Sequence, residues 1–402
     1  MKQRVLIANK FYYPRGGDCV CTLNLERLLA DKGHEVAVYS MTYPENLPSA
    51  WSGYFASPVD FGGGAKEKLR AAARTMGWGD VRGSFARILS DFRPDVVHLQ
   101  NIHSYLSPQL AVMARDAGAR VVWTLHDFKP VCPSYGCLRE GRPCEECFGS
   151  KTPVLRHRCM KGSLAASFIA WLEALRWNRR ALERVVDTFV CPSAFMAAKM
   201  AQAGFSKSRL MVNCNFVGFD KMEKFRSLEA PDAAGRGDYY CYVGRLSEEK
   251  GVESLLDAAS RLPHALRIAG DGPLLESLRG RYAGRGNIHF LGRQNPAEVV
   301  ELLRGARFSV MPSICYENNP LGVIESLCAG TPVVGAEIGG IPELIDAGNT
   351  GLTFESGDPE ALAKAIENAF GASWDYRSIR GGALARFSAD RHYDILMDAY
   401  SK

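Results

Sequence analysis

The sequence predicts an α/β fold made of two doubly wound, Rossmann-like domains with parallel sheets. Its 402 residues exceed what one hydrophobic core usually organises, so two domains of about 200 residues are expected. Short apolar runs of strand length alternate with helical stretches in both halves of the chain. This alternation fades over residues 219–236, where charges, Pro231 and glycines cluster, and we expect a linker there.

The first half, residues 1–218, opens with a buried-strand pattern and a loop over residues 12–18. A helix is expected over about residues 20–32, and Gly33 is suited to end it. The strands predicted in this half span residues 5–8, 36–39, 96–99, 121–125 and 188–191.

The second half, residues 237–380, repeats the pattern, and most of its strands run into a turn containing glycine or proline. The predicted strands span residues 239–243, 266–269, 288–291, 308–311 and 332–335. Residues 381–402 have helical spacing and could pack back on the N-terminal domain. Rossmann-like domains bind ligands beyond the carboxyl ends of their strands, so we expect two facing domains to form a ligand-binding cleft.

Composition and charge exclude several classes of protein. A chain with 47% hydrophobic and 23% charged residues is not expected to be disordered. The surplus of 49 Lys and Arg over 44 Asp and Glu is too small to indicate a nucleic-acid-binding protein. The sequence has neither a signal-peptide pattern nor a run of about 20 apolar residues, which favours a cytoplasmic protein. Its twelve cysteines are then expected to be thiols or metal ligands rather than disulfides.

Two glutamates, Glu317 and Glu325, flank a predicted helix start in the second half. Pro320 suits the first turn of that helix, so free backbone N–H groups near Leu321 and Gly322 could bind a diphosphate. Glu325, one turn into the helix, could accept the hydroxyl groups of a ribose, and Glu317 precedes the helix within reach of a sugar. Taken alone, the two glutamates are more simply interpreted as surface acids.

Three motifs at neighbouring strand ends favour the ligand-binding interpretation. Arg245 and Lys250 follow one strand and could neutralise a pyrophosphate, arginine as a fork and lysine as a point charge. Gly272 lies in a Gly-Asp-Gly-Pro turn that would let the backbone approach a ligand. Gly339 and Gly340 precede a helix start and could form an anion pocket lined by amides. Each motif alone could be a simple turn, but together they predict a nucleotide diphosphate site.

The order of these motifs, with Ala-Gly-Thr-Pro-Val-Val at residues 329–334, resembles the retaining GT-B glycosyltransferases of family 4, the glycosyl transferases of group 1. The resemblance covers essentially the whole chain. It implies that Arg245 and Lys250 stabilise the leaving diphosphate, that Glu325 binds the ribose, and that Glu317 faces the donor sugar. It also implies that the amides of Asn318 to Gly322, and so of Asn319 and Leu321, meet phosphate and sugar hydroxyl groups.

Such enzymes keep the anomeric configuration of the donor sugar and usually need no catalytic metal. No Asp-x-Asp motif stands at a strand end, so Arg245 and Lys250 would carry the charge that Mg²⁺ supplies elsewhere. The expected donor is a UDP-sugar, a GDP-sugar or a similar nucleotide sugar.

The first half carries candidates of its own. Gly16 and Gly17 resemble the glycine loop of the family, where the backbone can approach the donor phosphate or the acceptor, although a simple turn is the alternative. His126 follows a predicted strand and matches a family histidine that contacts the donor sugar, although a structural histidine is the alternative. Asp127 beside it could orient the histidine or act as a base.

Five cysteines lie close together in sequence, over residues 132–159. The Cys-x-x-Cys pair and the outer spacings favour a tetrahedral structural zinc site, with Cys137 as the spare cysteine. An iron–sulfur cluster or thiols without metal are the alternatives. The favoured ligands are Cys132, Cys144, Cys147 and Cys159.

A basic segment at residues 156–161 precedes a helical stretch rich in aromatic and aliphatic residues, and Arg179 and Arg180 follow it. Basic residues beside aromatic ones are typical of contact with an anionic membrane surface, where a lipid-linked acceptor would lie. The alternative is an amphipathic helix packed on the core with its charges in solvent.

These features predict a retaining glycosyltransferase that moves a sugar from a nucleotide-diphosphate sugar to a glycan or lipid-linked acceptor. Biosynthesis of a cell-surface polysaccharide or exopolysaccharide, at the inner face of the membrane, is the expected context. A GT-B sugar-nucleotide epimerase or phosphorylase is one alternative, but it would lack this pair of glutamates in this context. A non-catalytic sugar-nucleotide-binding protein is another, but it would be expected to have lost Glu317, Arg245 or Lys250.

Overall fold

A computed structural model describes residues 2–228, 232 and 235–401. Part of the predicted linker, including Pro231, lies outside the described residues. The chain forms two compact units. The N-terminal unit comprises Met1–Cys137, Cys144–Cys214 and His392–Lys402, and the C-terminal unit comprises Leu138–Pro143 and Asn215–Arg391.

The N-terminal unit is built on a sheet of six parallel strands with the order β2-β1-β3-β4-β7-β8. β5 and β6, which lie in the first half of the chain but belong to the C-terminal unit, pair separately as a short antiparallel hairpin. The strands of this half are β1 (Arg4–Ala8), β2 (Glu35–Tyr39), β3 (Val96–Leu99), β4 (Arg120–Thr124), β5 (Leu138–Arg139), β6 (Arg142–Pro143), β7 (Thr188–Cys191) and β8 (Leu210–Val212).

The C-terminal unit contains a second sheet of six parallel strands, with the order β11-β10-β9-β12-β13-β14. Its strands are β9 (Tyr239–Val243), β10 (Ala265–Ala269), β11 (Ile288–Gly292), β12 (Ser309–Met311), β13 (Val333–Ala336) and β14 (Gly351–Phe354). Two parallel, doubly wound sheets confirm the predicted fold class.

Helices follow most strands. Those of the first half are α1 (Gly17–Asp31), α2 (Ala65–Thr75), α3 (Val81–Phe92), α4 (Gln109–Asp116), α5 (Pro153–Arg156), α6 (Leu164–Arg176), α7 (Arg179–Val185) and α8 (Ala194–Gln202). The later ones are α9 (Phe219–Ser227), α10 (Val252–Ala259), α11 (Leu275–Arg281), α12 (Pro296–Gly305), α13 (Leu321–Cys328), α14 (Pro359–Gly371), α15 (Tyr376–Arg386) and α16 (Ala389–Ser401).

The central strands are mostly apolar because the sheet is buried on both faces. In β1, for example, Val5, Leu6, Ile7 and Ala8 are all at most 1% exposed. An antiparallel sheet with one wet face would alternate apolar and polar residues instead. This continuous burial is why short runs of apolar residues were sufficient to predict the strands.

The first helix begins earlier than the sequence predicted. α1 starts at Gly17, and the Gly16 carbonyl accepts a hydrogen bond from Val20 N at 3.0 Å. Gly16 and Gly17 therefore lie at a helix N-terminus rather than in an open loop. At the other end Gly33 has φ +84°, which confirms that it ends the helix in the left-handed conformation.

Two edge strands, β8 and β14, were not predicted. β8 has only three residues, and β14 begins with a glycine, which weakens a strand pattern. Gly351 is needed there because a Cβ atom at that position would lie 2.0 Å from the Val333 carbonyl oxygen on the neighbouring strand. Close approach of two backbones, rather than turn chemistry, explains this glycine.

Parts of the predicted linker, residues 219–236, are packed within the C-terminal unit. Residues 219–227 form α9, and the buried Arg236 donates to the Ala306 carbonyl at 2.7 Å and to Thr331 Oγ1 at 2.6 Å. Both parts belong to the C-terminal unit. The division between the units falls at Cys214–Asn215 and again at Arg391–His392.

The C-terminal helix α16 completes the core of the N-terminal unit. Leu396, Ala399 and Tyr400 are buried in one cluster with Val5 and other sheet residues. The Tyr400 hydroxyl lies 2.7 Å from His98 Nδ1, so the buried phenol has a hydrogen-bond partner.

Candidate functional site

In the C-terminal unit, the strand order reverses between β9 and β12. Strands that follow β9 in sequence lie on one side of it, and β12 begins the other side. The loops beyond these two strands leave toward opposite faces of the sheet, which opens a crevice at their carboxyl ends. Lys250 lies in the segment after β9 and Glu317 in the segment after β12, so the fold brings both predicted residues to this crevice.

Lys250 and Glu317 form a half-buried ion pair. Lys250 Nζ donates to Glu317 Oε1 at 2.6 Å, and Ser313 Oγ donates to the same oxygen at 2.7 Å. The side chains are 28% and 12% exposed, respectively. Burial is the largest single influence and would lower the pKa of Lys250, but the charge and hydrogen bond of Glu317, together with Cys315 and Glu249, outweigh it and raise the pKa above its usual value. Lys250 is therefore a permanent cation at the end of the sheet.

Glycines hold the backbone that carries this pair. Gly339 has φ +62°, and a Cβ atom there would lie 2.4 Å from the Glu317 carbonyl oxygen. Gly340 N donates to that same oxygen at 2.7 Å. The backbone amide of Gly340 was predicted to help form an anion pocket with Gly339, but it is already hydrogen-bonded to the Glu317 carbonyl.

The turn that contains Gly272 packs against the segment after β9. A Cβ atom at Gly272 would lie 2.3 Å from the Leu246 carbonyl oxygen, which no side chain could tolerate. The Gly272 amide donates to Asp271 Oδ1 at 2.7 Å. The glycine brings two strand-end loops into contact, and its role toward a ligand stays a prediction.

The helix after Glu317 begins at Leu321, with Pro320 at its N-cap in an extended conformation. Proline was expected within the first turn, and the structure places it one residue earlier. The N–H groups of Leu321 and Gly322 occupy the first two helical positions, which have no partner within a helix. They supply the positive end of the helix dipole that was predicted to favour a diphosphate.

Glu325 lies one turn into α13 and its side chain is 11% exposed. Lys221 Nζ donates to Glu325 Oε1 at 2.5 Å. Lys221 was not predicted as a site residue because it falls in the predicted linker, 104 positions from its partner. No local pattern could have connected the two residues.

Asn319 is fixed by the segment that enters the C-terminal unit. Its Oδ1 accepts from Asn215 N at 2.8 Å, and its carbonyl oxygen accepts from Asn215 Nδ2 at 2.9 Å. Asn319 Nδ2 is buried and has no hydrogen-bond partner among the described residues. A buried donor without a partner is costly, and a ligand oxygen would satisfy it.

Arg245, unlike Lys250, is exposed. Among the described residues its guanidinium group forms neither an ion pair nor a hydrogen bond, while its carbonyl oxygen accepts from the Tyr242 hydroxyl at 2.8 Å. The backbone of Arg245 is thus held and its side chain is available. This arrangement suits a group that binds an incoming anion.

The N-terminal unit has its own reversal of strand order, between β1 and β3. Polar side chains gather at the ends of these strands. Asn101 Nδ2 donates to Asp18 Oδ2 at 2.8 Å, Lys10 Nζ lies 3.8 Å from the same oxygen, and Asn101 N donates to Asn9 Oδ1 at 3.0 Å. The predicted Gly16 and Gly17 start the helix that carries Asp18. The two glycines were predicted from the sequence, but this polar cluster was not.

His126 lies beside that cluster, one residue beyond Leu125 at the end of β4. Its Nε2 is 2.7 Å from Gln100 Oε1. Burial lowers the pKa of His126, although the nearby carboxylates of Asp18 and Asp127 act in the opposite direction. His126 is therefore neutral near pH 7.

Asp127 is held by the turn that follows His126. Its Oδ1 accepts from Lys129 N at 2.9 Å and lies 3.6 Å from His103 Nε2. Burial raises the pKa of Asp127 above its usual value. The histidine that Asp127 contacts is thus His103, and its predicted role as an orienter of His126 or as a base stays a prediction.

The zinc site predicted in the cysteine-rich loop stays a prediction. Among the described residues, no group of three or more His, Cys, Asp or Glu side chains could hold a metal ion. Cys137, the cysteine predicted to be the spare one, donates a hydrogen bond from its thiol to Cys132. This hydrogen bond lowers the pKa of Cys132 to about 6. Lys151 stabilises the loop, since its Nζ donates to the Val131 and Cys147 carbonyl oxygens, each at 2.7 Å.

In the part of the chain that the structure describes, no helix combines the length and the apolar character that crossing a membrane requires.

Two family models match consecutive parts of the chain. The model described as "Glycosyl transferase 4-like domain" matches residues 16–215, and the model described as "Glycosyl transferases group 1" matches residues 223–376. This chain belongs to the group 1 glycosyl transferases. The match confirms the group 1 membership that the order of the sequence motifs indicated, while the retaining mechanism stays a prediction.

Among relatives of this group 1 glycosyl transferase, sulfoquinovosyl transferase SQD2 from Arabidopsis thaliana is 29% identical over 293 residues. That alignment covers 68% of this chain but only 50% of SQD2, so the chain spans about half the length of that relative.

Two solved structures share the fold over nearly their whole length. The lipopolysaccharide outer core galactosyltransferase WaaB, in its apo form, has a TM-score of 0.64 at 15% identity, with 98% of each chain covered. HepE from Anabaena, in complex with UDP-glucose, has a TM-score of 0.63 at 17% identity, with 100% of each chain covered. These likenesses show the GT-B fold.

Proposed function

We propose that this chain is a retaining glycosyltransferase that moves a sugar from a nucleoside diphosphate sugar to a glycan or lipid-linked acceptor. The observation that carries the proposal is the Lys250–Glu317 ion pair at the reversal of strand order, beside the N-terminus of α13 and Glu325. In this assignment Lys250 and Arg245 neutralise the leaving diphosphate, Glu325 binds the ribose, and Glu317 faces the sugar.

The charges of the C-terminal unit support a nucleotide diphosphate as ligand. Lys250 is cationic, Arg245 has an exposed guanidinium group, and the start of α13 presents amide donors. A leaving diphosphate develops negative charge as the glycosidic bond breaks, and preorganised donors stabilise that charge without reorganisation. Arg245 and Lys250 thus supply the charge for which other transferases use a cation, and the proposal includes no catalytic metal.

A cell-surface glycan is the proposed acceptor context. HepE was solved with UDP-glucose, and WaaB is named as a galactosyltransferase of the lipopolysaccharide outer core. We infer a related nucleotide sugar donor and a polysaccharide or lipid-linked acceptor for this chain. Glu317, Arg245 and Lys250 are all present, which argues against a non-catalytic binding protein.

A thermal-shift screen with UDP-, GDP-, ADP- and dTDP-sugars tests the donor site. Because a ligand that binds only the folded state raises the melting temperature, one nucleotide class should stabilise the protein more than the others. Stabilisation by none of them would contradict the proposal. Incubation with the stabilising donor alone separates the alternatives, since an epimerase would convert the sugar without an acceptor. The anomeric configuration of the transferred sugar, read by NMR, tests retention.

The outer face of α6 supports contact with a membrane. The helix buries Ser167, Ala170 and Glu173, whereas Leu164 is 55% exposed and Phe168 is 47% exposed. The usual arrangement of an amphipathic helix is the reverse, with apolar residues inside. Exposed apolar residues in a row mark an interaction surface.

Basic residues lie at both ends of this stripe. The exposed ones are Arg156, Arg158 and Lys161 before the helix and Arg176 and Arg180 at or after its end. Apolar side chains between basic ones are complementary to the surface of an anionic bilayer. We therefore propose that α6 rests on the inner face of the membrane, where a lipid-linked acceptor would lie.

Replacing Leu164 and Phe168 together with serine should weaken binding to vesicles containing phosphatidylglycerol by about tenfold, because two half-exposed apolar side chains are removed from the contact. Co-sedimentation measures the binding, and neutral phosphatidylcholine vesicles serve as the comparison. A matched control replaces Leu291, which is 39% exposed on the C-terminal unit, and should leave binding unchanged. Equal binding by the double variant would refute the α6 surface.

A further inference from the structure

The backbone of Gln100 is held in place at the end of a strand. It directly follows β3, its N–H donates to the Ala8 carbonyl at 2.9 Å, and its own carbonyl accepts from Trp123 Nε1 at 2.9 Å. Trp123 is fully buried and Gln100 is 2% exposed. The backbone of Gln100 is thus held on two sides, so its side chain starts from a fixed position at the reversal of strand order.

The side chain of Gln100 determines the tautomer of His126. Gln100 Oε1 lies 2.7 Å from His126 Nε2, and a carbonyl oxygen only accepts hydrogen bonds. His126 Nε2 must therefore carry the hydrogen. A neutral imidazole has one N–H group, so Nδ1 keeps a lone pair and acts as an acceptor.

The side-chain amide nitrogen of Gln100 is a hydrogen-bond donor without an acceptor among the described residues. Gln100 Nε2 is buried and has no hydrogen-bond partner among the described residues. An unpaired buried donor destabilises the folded protein, and such groups in native structures usually have a functional reason. A hydroxyl group both accepts and donates, so it can receive a hydrogen bond from Gln100 Nε2 and give one to His126 Nδ1.

We propose that Gln100 is a positioning residue that holds His126 as the Nε2–H tautomer, and that its amide nitrogen donates to a hydroxyl group of a sugar substrate. This inference rests on the proposed function and names how the N-terminal unit recognises a sugar. The chemistry recognised is a hydroxyl group, on the sugar of the donor or on the acceptor.

The tautomer is tested first, on ligand-free protein. In ¹⁵N NMR of histidine-labelled protein, the His126 signals, assigned with the His126→Asn variant, should show a protonated Nε2 and a bare Nδ1. Gln100→Met has a similar length but cannot accept the hydrogen bond, so both tautomers should appear. A wild-type spectrum with the hydrogen on Nδ1 overturns the proposal, and so does an unchanged spectrum in Gln100→Met.

A second variant protects the test against misfolding. Gln100→Glu keeps an acceptor for His126 Nε2–H, so the tautomer should be retained, while the added negative charge should raise the pKa of His126 by about one unit or more. An unchanged titration of His126 in this variant would contradict the contact. Gln294→Met is the matched control, since Gln294 is partly exposed and, among the described residues, its side-chain amide donates to the nearby Leu291 carbonyl at 2.8 Å.

Sugar recognition is tested by calorimetry with UDP, UDP-glucose, GDP and GDP-mannose, and with free glucose and galactose as acceptor probes. In Gln100→Met the affinity for the nucleotide alone should stay within about twofold, while the gain in affinity from the sugar should fall about tenfold. A loss confined to the nucleotide sugar assigns the hydroxyl group to the donor, and a loss confined to the free sugar assigns it to the acceptor. No loss in either overturns the role of the amide nitrogen.

The two levels of the proposal fail differently. If wild-type protein binds no nucleotide sugar and no free sugar, the proposed function and the hydroxyl contact both fall. The tautomer measurement needs no ligand and still decides whether Gln100 positions His126.

Discussion

Replacing Lys250 with alanine should lower kcat by about 100- to 1,000-fold, as expected for the loss of a preorganised charge that stabilises a leaving group. The same change leaves the carboxylate of Glu317 with Ser313 as its remaining hydrogen-bond partner, where the structure has Lys250 Nζ at 2.6 Å. Without Lys250 to neutralise it, the carboxylate of Glu317 would repel the diphosphate. Steady-state kinetics with the donor from the thermal-shift screen measure the effect.

Controls separate chemistry from folding for this variant. The melting temperature of Lys250→Ala shows whether the protein remains folded. Lys364→Ala removes an exposed lysine on α14 of the same unit and should keep full activity. Lys250→Arg keeps the charge but changes its shape, so we expect partial activity. A folded Lys250→Ala variant with kcat within tenfold of wild type would remove Lys250 from the mechanism.

The second large effect is expected at Glu325. Replacing it with glutamine should weaken nucleotide binding by about 10- to 100-fold, because hydrogen bonds to a charged group contribute about 1.5–3 kcal/mol. The affinity for the nucleoside diphosphate, measured by calorimetry, is the relevant quantity, since the ribose is present with or without the sugar. The matched control is Glu367→Gln on the exposed face of α14.

Lys221 provides a second test of the same site. Its Nζ donates to Glu325 Oε1 at 2.5 Å. Lys221→Met therefore leaves the Glu325 carboxylate without its ion-pair partner but still able to accept the ribose hydroxyl groups. We expect a smaller loss of affinity than in Glu325→Gln. If Glu325→Gln binds the nucleotide as tightly as wild type, Glu325 does not bind the ribose.

Much of the fold could be predicted because the relevant signals are local. The strands of a parallel sheet are buried on both faces, so β1 and its neighbours read as continuous apolar runs. β14 was not predicted because its first residue, Gly351, is required for a close backbone contact with Val333 and does not fit a strand pattern. The start of α1 was misplaced because Gly16 and Gly17 indicate a loop by composition, whereas the structure uses them at a helix N-terminus.

The candidate site was predicted less completely than the fold, since the sequence shows which residues are present but not which ones meet. The order of motifs identified Lys250 and Glu317, but their ion pair joins residues 67 positions apart. The amide of Gly340 was expected to be available and is instead bonded to the Glu317 carbonyl. Similarly, the spacing of the cysteines favoured Cys144 over Cys137, yet the structure pairs Cys132 with Cys137.

Local patterns of residues are sufficient to assign this chain to the two-domain α/β proteins of the group 1 glycosyl transferase family, because strand periodicity and motif order are properties of neighbouring residues. Which side chains share a site depends on the folded arrangement. Lys221 reaches Glu325 across 104 positions and Gln100 reaches His126 across 26, since the order of strands in a sheet differs from their order in the chain. Contacts of that kind depend on how the sheet is wound, and the sequence records that only indirectly.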